Sequence, residues 1–347
     1  MNQETCVHVV LAADDRFAMP LAVTVRSLAE CLQPGWVVRL FVIDGGISDA
    51  NRQKLIQSWP ASIKEVSWIN APTDLLAGLD VKGHVSVATY FRILIPELLP
   101  ADVQRVLYLD ADLLVRSDVT QLWEMDFGDR LCLAVQDLAA PYVNSLIPSL
   151  QSKHPQLAAG QPCPIRNYRE LGLAADLPYF NGGVLMIDLA RWRAEDLSTQ
   201  FVNCLRDNAE DLLWWDQYAL NVVLAGKAKM IDPRWNQGET VYGFKSWEES
   251  HLDQLSFEQV RNDPFIVHFT STFKPWHFFT KHPYRQAWFE VLDRTEWRGW
   301  RPGLGSLMKQ VWNTDAATAV NTAYRTFRWL VPAKKAKRLT NDNVPQP

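Results

Sequence analysis

RVLYLDADLLV, residues 105–115, is an apolar run of strand type that ends on two carboxylates, Asp110 and Asp112, with only Ala111 between them. Charges placed at the end of a buried strand cost free energy unless a cation, an arginine or a hydrogen-bond network compensates them. Side chains alternate along an extended chain, so positions 110 and 112 present both carboxylates on one side while Ala111 turns away. Two carboxylates so close suppress each other's ionisation unless a hard divalent cation joins them. Oxygen-ligated Mn²⁺ or Mg²⁺ suits that spacing. The same pair reads equally well as one aspartate capping a turn and the other paired with Arg116, so the spacing alone settles nothing.

The flanks of this stretch set the fold class. VHVVLAA (7–13) is a strand followed by apolar residues Phe17, Leu21, Val25, Leu28 and Leu32 at helical spacing. VVRLFVID (37–44) is a second strand, 49–59 a helix opened by Ser48 as its cap, and KEVSWIN (64–70) a third strand. ATYFRILIPELL (88–99) reads as a helix before the opening strand, and LCLAVQD (131–137) as a strand after it. GGVLMIDL (182–189), a helix over about 190–208, another over 216–225, and strands near Met230 and at FIVHF (265–269) complete the series. Such alternation predicts an α/β fold with a doubly wound, mostly parallel sheet, whose ligands gather beyond the carboxyl ends of the strands. The segment 141–178, rich in Pro, Ser and Gln, reads as an insertion able to cover a site.

The 347 residues, 48% of them hydrophobic, suffice for one large domain, expected over 1–300, with a basic amphipathic tail over 301–347. The formal net charge of −4 conceals an asymmetry, because the tail carries a net charge of about +6 and the remainder about −10. Five cysteines without CxxC or metal-type spacing read as reduced thiols of a cytosolic protein. No export signal and no apolar run long enough to span a membrane is evident, and nothing in the composition points to nucleic acid.

Further constellations bear on the acidic pair. His268 ends FIVHF, where a neutral imidazole could complete an oxygen-rich Mn²⁺ site, although a histidine ending a strand also reads as a satisfied core residue. Lys274, six residues on in STFKPW, suits a diphosphate whose charge is shared with a metal; its bland reading is a solvated lysine. FNGGVLMID (180–188) places an asparagine and two glycines before a strand, which lets backbone approach a polar ligand or simply forms a tight turn. In WWDQYALN (214–221), Asp216 and Gln217 fall in the first turn of a helix, for capping or for hydroxyl recognition.

In this order, AADD (12–15), LYLDADLLV, FNGGVLMIDL, WWDQYALN and HFTSTFKPW resemble glycosyltransferase family 8, most closely its bacterial lipopolysaccharide and lipooligosaccharide galactosyl- and glucosyltransferases. The resemblance spans about Val7 to Trp276. It implies a retaining, Mn²⁺-dependent enzyme with a GT-A type nucleotide-sugar-binding domain and a mixed, mostly parallel sheet, using UDP-galactose or UDP-glucose. Carried over, Asp110, Asp112 and His268 hold Mn²⁺, Ala12 and Asp14 hold uracil and ribose, and Lys274 contacts the diphosphate. Arg92 matches an arginine that reaches the donor, and Asp137, Asn181, Asp216 and Gln217 match residues around the donor hexose. Ser271 stands where the family often has glycine, and Gly182 where alanine is common.

Retention normally suggests a carboxylate nucleophile, but the residue at the family's position beneath the sugar is Gln217, and an amide oxygen is a poor nucleophile. The expected course is therefore same-face attack by the acceptor hydroxyl through an oxocarbenium-like state that Gln217 stabilises, with Asp216 beside it. From Leu304 to Val331 apolar residues form a continuous helical stripe, followed by AKKAKR. A helical basic tail of this kind fits the inner face of a membrane, where a lipid-linked glycan acceptor would sit, or packs on the domain with a solvated end. The expected setting is thus cytoplasmic, peripheral at the inner membrane face. A haloacid-dehalogenase phosphohydrolase also begins from DxD, but places it at the first strand and does not carry a residue such as Leu114 after it. The remaining alternative is a non-catalytic glycan-binding or scaffolding protein on the same fold.

Overall fold

A computed structural model of the chain describes residues 5–70, 87–146, 163–270, 274–278 and 280–303. The chain divides into two compact units, Met1–Pro275 with Lys281–Trp300, and Trp276–Thr280 with Arg301–Pro347; the fold and the site belong to the first. The tail stripe from 304 onward, residues 147–162 of the expected insertion and Ser271 lie outside the described residues.

The opening half alternates as its apolar patterning dictates: β1 (Thr5–Ala13), α1 (Ala18–Cys31), β2 (Trp36–Asp44), α2 (Asp49–Ser58) and β3 (Ile63–Asn70). Ser48 caps α2 as expected, its hydroxyl accepting from the Asn51 N–H at 3.4 Å. β4 (Arg105–Leu109), β5 (Leu113–Val115), β6 (Cys132–Gln136), β7 (Phe180–Asp188), β8 (Ala228–Met230), β9 (Gln237–Gly238) and β10 (Ile266–His268) follow. The main sheet has seven strands in the order β3-β2-β1-β4-β7-β6-β8, and β5, β10 and β9 form a separate small sheet. β1 to β4 run parallel, whereas β7 is antiparallel to both β4 and β6, so the sheet is mixed. Alternate residues feed two cores: Val10, Tyr108 and Leu185 on one face, Val9, Leu107 and Leu109 on the other. Each such fully buried apolar side chain contributes about 1.5–3 kcal/mol, which is why these strands read as predominantly apolar runs.

Three local expectations change. The 88–99 stretch is a 3₁₀ helix, Val87–Leu94, followed by one α-turn, Ile95–Leu98; the backbone before Pro96 is where the α-turn begins. The single helix expected over 190–208 is two, Leu189–Ala194 and Leu197–Asp207, broken at Asp196, which sits in the left-handed region at φ 51°. The 105–115 run splits at the acidic pair: β4 ends at Leu109, so the pair stands at a strand end as expected, and Asp110–Asp112 form a link to β5 rather than extended strand. Among the described residues no helix is long and apolar enough to cross a membrane.

Candidate active site

The parallel strands β1, β2 and β4 and the strand β6 end at one edge of the sheet, and because β7 runs the other way its first residues arrive there too. Asp110 joins that edge through its N–H, which donates to the Gly183 carbonyl at 2.9 Å. α1 shapes the link itself. The buried Thr24 hydroxyl lies 2.9 and 3.0 Å from the Ala111 and Leu113 carbonyls and accepts from the Leu113 N–H at 3.1 Å, while Ser27 accepts from the Val115 N–H at 3.0 Å. Ala111 is turned into the core, while Asp110 is partly exposed and Asp112 is buried beside His268.

The small sheet brings the histidine. β10 pairs antiparallel with β5, His268 opposite Leu113, and parallel with β9, His268 opposite Gly238. His268, only 4% exposed, therefore reaches the acidic link, its Nε2 standing 3.6 Å from Asp110 Oδ2 and 3.4 Å from Asp112 Oδ1. One ligand atom from each of Asp110, Asp112 and His268 lies within 4.8 Å of the others. A set of two carboxylates and one imidazole fits an oxygen-preferring divalent cation, and the ring's other nitrogen is engaged elsewhere, Nδ1 lying 2.8 Å from Asn236 Oδ1.

Lys274 joins the same site, its ammonium 2.6 Å from Asp112 Oδ2 and also on the Phe269 carbonyl. Burial alone would push the Asp112 carboxyl up, but the Lys274 ammonium and hydrogen bonding from Lys274 and His268 hold it well below the usual carboxylate range.

Arg92 is 8% exposed and lies between the acidic link and Asp216. Its Nε lies 2.6 Å from Asp216 Oδ2, one terminal nitrogen 3.3 Å from Asp110 Oδ1, and the other donates to the Gly182 carbonyl at 2.7 Å. The guanidinium stacks over the Tyr108 ring, whose hydroxyl donates to Asp110 Oδ1 at 2.6 Å. Burial pushes the Asp216 carboxyl up to about 7 against the pull of Arg92, and the neighbouring charge of Asp110 pushes the same way as burial.

Asp137, Asn181 and Gln217 form one hydrogen-bonded row, which Ala12 and Asp14 do not join. Asp137 Oδ2 accepts from Asn181 Nδ2 at 3.1 Å and from Gln217 Nε2 at 3.3 Å, and Gln217 Oε1 accepts from the Gly182 N–H at 3.1 Å. Ala12 and Asp14 lie at the carboxyl end of β1, where Asp14 caps the turn Asp15–Phe17 and pairs with Arg16 at 2.8 Å. Asn236, Tyr108 and Thr24 were not singled out by sequence reasoning. Thr24 and Ser27, three apart on an otherwise apolar helix face, carried a signal; Asn236 in PRWNQG carried none.

This constellation can be set beside known proteins, and the sequence model of glycosyl transferase family 8 matches residues 8–280. The chain belongs to glycosyl transferase family 8. This family-8 chain is 28% identical over 300 residues to general stress protein A of Bacillus subtilis (strain 168), covering 86% of this chain and 96% of that one. It is 24% identical over 299 residues to the lipopolysaccharide 1,2-glucosyltransferase of Escherichia coli (strain K12), covering 86% and 81%. Its fold is similar to that of the galactosyltransferase LgtC in complex with donor and acceptor sugar analogues, with TM-score 0.68, 27% identity, and coverage of 84% of this chain and 96% of that one. The family-8 chain is thus a glycosyltransferase with a GT-A α/β fold.

Proposed function

We propose that this glycosyltransferase moves galactose or glucose from a UDP-sugar to a glycan acceptor of lipopolysaccharide or another cell-surface polysaccharide, with retention of configuration. The convergence of Asp110, Asp112 and His268 beside the Arg92–Asp216 pair and the Asp137–Gln217 row carries this reading. Among similar proteins one is named a glucosyltransferase and another a galactosyltransferase, which supports a hexose without choosing between the two.

Asp110, Asp112 and His268 would hold a divalent cation, Mn²⁺ by preference and Mg²⁺ by the same chemistry. When bound, such a cation supplies positive charge to a departing diphosphate. Lys274, already held at the acidic link, adds a second positive charge on the same side. Ala12 and Asp14, at the end of β1, are assigned to the uracil and ribose. Arg92 is held from three sides, so its part is to fix Asp110, the Gly182 carbonyl and Asp216 relative to one another. Gln217 is held at both ends of its amide, by Asp137 and by the Gly182 N–H, so its dipole has a set direction on the edge where Asn181 and Gly182 also lie. A fixed amide dipole stabilises an oxocarbenium-like state without covalent attack, and the departing phosphate accepts the acceptor's proton. The basic tail is assigned to the membrane surface that carries a lipid-linked acceptor, which would place the enzyme at the cytoplasmic face.

Mn²⁺-dependent hydrolysis or transfer with UDP-galactose, UDP-glucose and UDP-N-acetylglucosamine, in wild-type protein and Asp110→Ala, tests the reading. Turnover of one hexose donor that disappears in Asp110→Ala is expected. Absence of turnover with all of them would favour a glycan-binding scaffold, and unchanged turnover in Gln217→Ala would remove the role given to that residue.

A further inference from the structure

Asp137 has four N–H groups on its carboxylate: Ala139 and Ala140 on Oδ1 at 2.7 and 3.3 Å, Asn181 Nδ2 and Gln217 Nε2 on Oδ2 at 3.1 and 3.3 Å. Surrounded by donors, it can only accept. Asn181 must therefore turn its Nδ2 toward Asp137 and its Oδ1 away. That oxygen receives the Gly183 N–H at 2.9 Å and Asn236 Nδ2 at 3.0 Å. Asn236, 4% exposed, is thereby left with its Oδ1 facing His268 Nδ1 at 2.8 Å. An acceptor there requires a proton on Nδ1, and the ring then offers Nε2 to the side where Asp110 and Asp112 stand.

We infer that Asn236 is the positioning residue of the metal site: it relays the polarity imposed at Asp137, through Asn181, to His268, and holds the imidazole with Nδ1 as the donor to Asn236 and Nε2 turned toward Asp110 and Asp112. The residues assigned to the donor hexose and one ligand of the cation are thus oriented by a single row of hydrogen bonds. The ligand part of this inference rests on the metal reading given above; the ring's protonation pattern does not.

The two ends of the Asn236 amide can be separated by substitution. Asn236→Asp keeps an acceptor for His268 and removes the donor to Asn181; Asn236→Leu removes both at nearly constant volume. Imidazole ¹⁵N shifts of metal-free wild-type protein at pH 9 are expected to show a protonated Nδ1 on His268. A bare Nδ1 there overturns the inference whatever the variants do. Free Mn²⁺ counted by electron paramagnetic resonance is expected to show affinity reduced about tenfold or more in Asn236→Leu, with the Nε2-protonated ring appearing, because an orienting partner of a metal-bound histidine is worth about 10–100-fold. Asn236→Asp is expected to keep at least wild-type Mn²⁺ affinity while the KM for the sugar donor rises. Wild-type affinity and a protonated Nδ1 in Asn236→Leu overturn the inference, as does equal loss of Mn²⁺ affinity in both variants. A wild-type protein with protonated Nδ1 that binds no Mn²⁺ sinks the metal reading of the trio and upholds the assignment of the ring.

Discussion

Gly182 and Gly183 are adjacent and both extended, yet a methyl group added to each meets different surroundings. At position 183 a Cβ would lie 2.7 Å from His268 Nδ1 and 2.9 Å from Asp110 Oδ2, and closer still to His268 Cε1. Ordinary contact begins at 3.4 Å, so the ring must retreat by at least 0.7 Å. It is buried and hydrogen-bonded to Asn236, so it cannot do so freely. Metal–ligand distances tolerate only about 0.2 Å, and a misplacement of about 1 Å costs on the order of 10²-fold in rate. Gly183→Ala is therefore expected to lose about 1–3 kcal/mol of stability through overpacking and at least tenfold in Mn²⁺ affinity, with turnover down by about 10²-fold. At position 182 the added Cβ would lie 2.9 Å from a terminal nitrogen of Arg92 and 3.3 Å from a Leu220 methyl, so the guanidinium must shift by about 0.5 Å against its own hydrogen bonds, while neither His268 nor the acidic pair is touched. Gly182→Ala should keep Mn²⁺ affinity and lose less than tenfold in rate. Isothermal titration with Mn²⁺, a donor-hydrolysis assay and denaturant midpoints on both variants provide the comparison. If Gly183→Ala binds Mn²⁺ like wild type, or if Gly182→Ala is the more damaging, the packing argument for the trio is refuted.

His282 sits among Phe269, Tyr242 and Tyr284, and burial depresses its pKa from 6.5 to about 4. The unfolded chain binds the proton first, so the stability contributed by the neutral ring is complete above pH 6.5 and is lost as pH falls toward 4, amounting to about 3 kcal/mol over that window at about 1.4 kcal/mol per unit. Urea midpoints between pH 7.5 and 4.5 should fall less steeply in His282→Phe, and parallel curves would show that the ring does not titrate as inferred. Arg92→Met removes the donor shared by Asp216, Asp110 and the Gly182 carbonyl; the Asp216 carboxyl, already raised to about 7, then takes up a proton, and a loss of about 1–3 kcal/mol from the unpaired acceptors is expected by chemical denaturation, which Arg92→Lys should not restore, because one ammonium cannot serve all three at once. Unchanged stability in Arg92→Met would show that the guanidinium does not hold these groups together. Thr24→Val leaves the buried Leu113 N–H without its acceptor, and should cost about 1–3 kcal/mol and weaken Mn²⁺ binding; wild-type values for both would show that α1 does not hold the acidic link.

Much of the frame was legible in the chain. Predominantly apolar runs such as 7–13, 37–44 and 105–109 are strands because both faces of the sheet are covered, and Ser48 marked its helix start because a hydroxyl there satisfies a free N–H. Helix interruptions were less legible. Asp196 breaks a periodic stretch through one left-handed backbone conformation, which leaves no trace in hydrophobic spacing. Arg92 could be read as a surface arginine because its partners, Asp110, Gly182 and Asp216, are up to 124 positions away.

By itself the sequence determined which chemistry is present: paired carboxylates after an apolar strand, a histidine ending another, amides and glycines at a third, and an α/β alternation that collects strand ends at one edge. Only the tertiary structure decided how these groups face one another. β9 is too short to announce itself, and nothing in the chain pairs β10 with β5 and β9, yet that pairing sets His268 beside Asp112 and Asn236, positions separated by 156 and 32 residues. The orientation of the Asn236 amide, which meets His268 Nδ1, depends on hydrogen bonds running back to Asp137. Donor and acceptor ends of an amide are identical in the residue's name and differ only in what each end meets, so that choice exists only in the folded molecule.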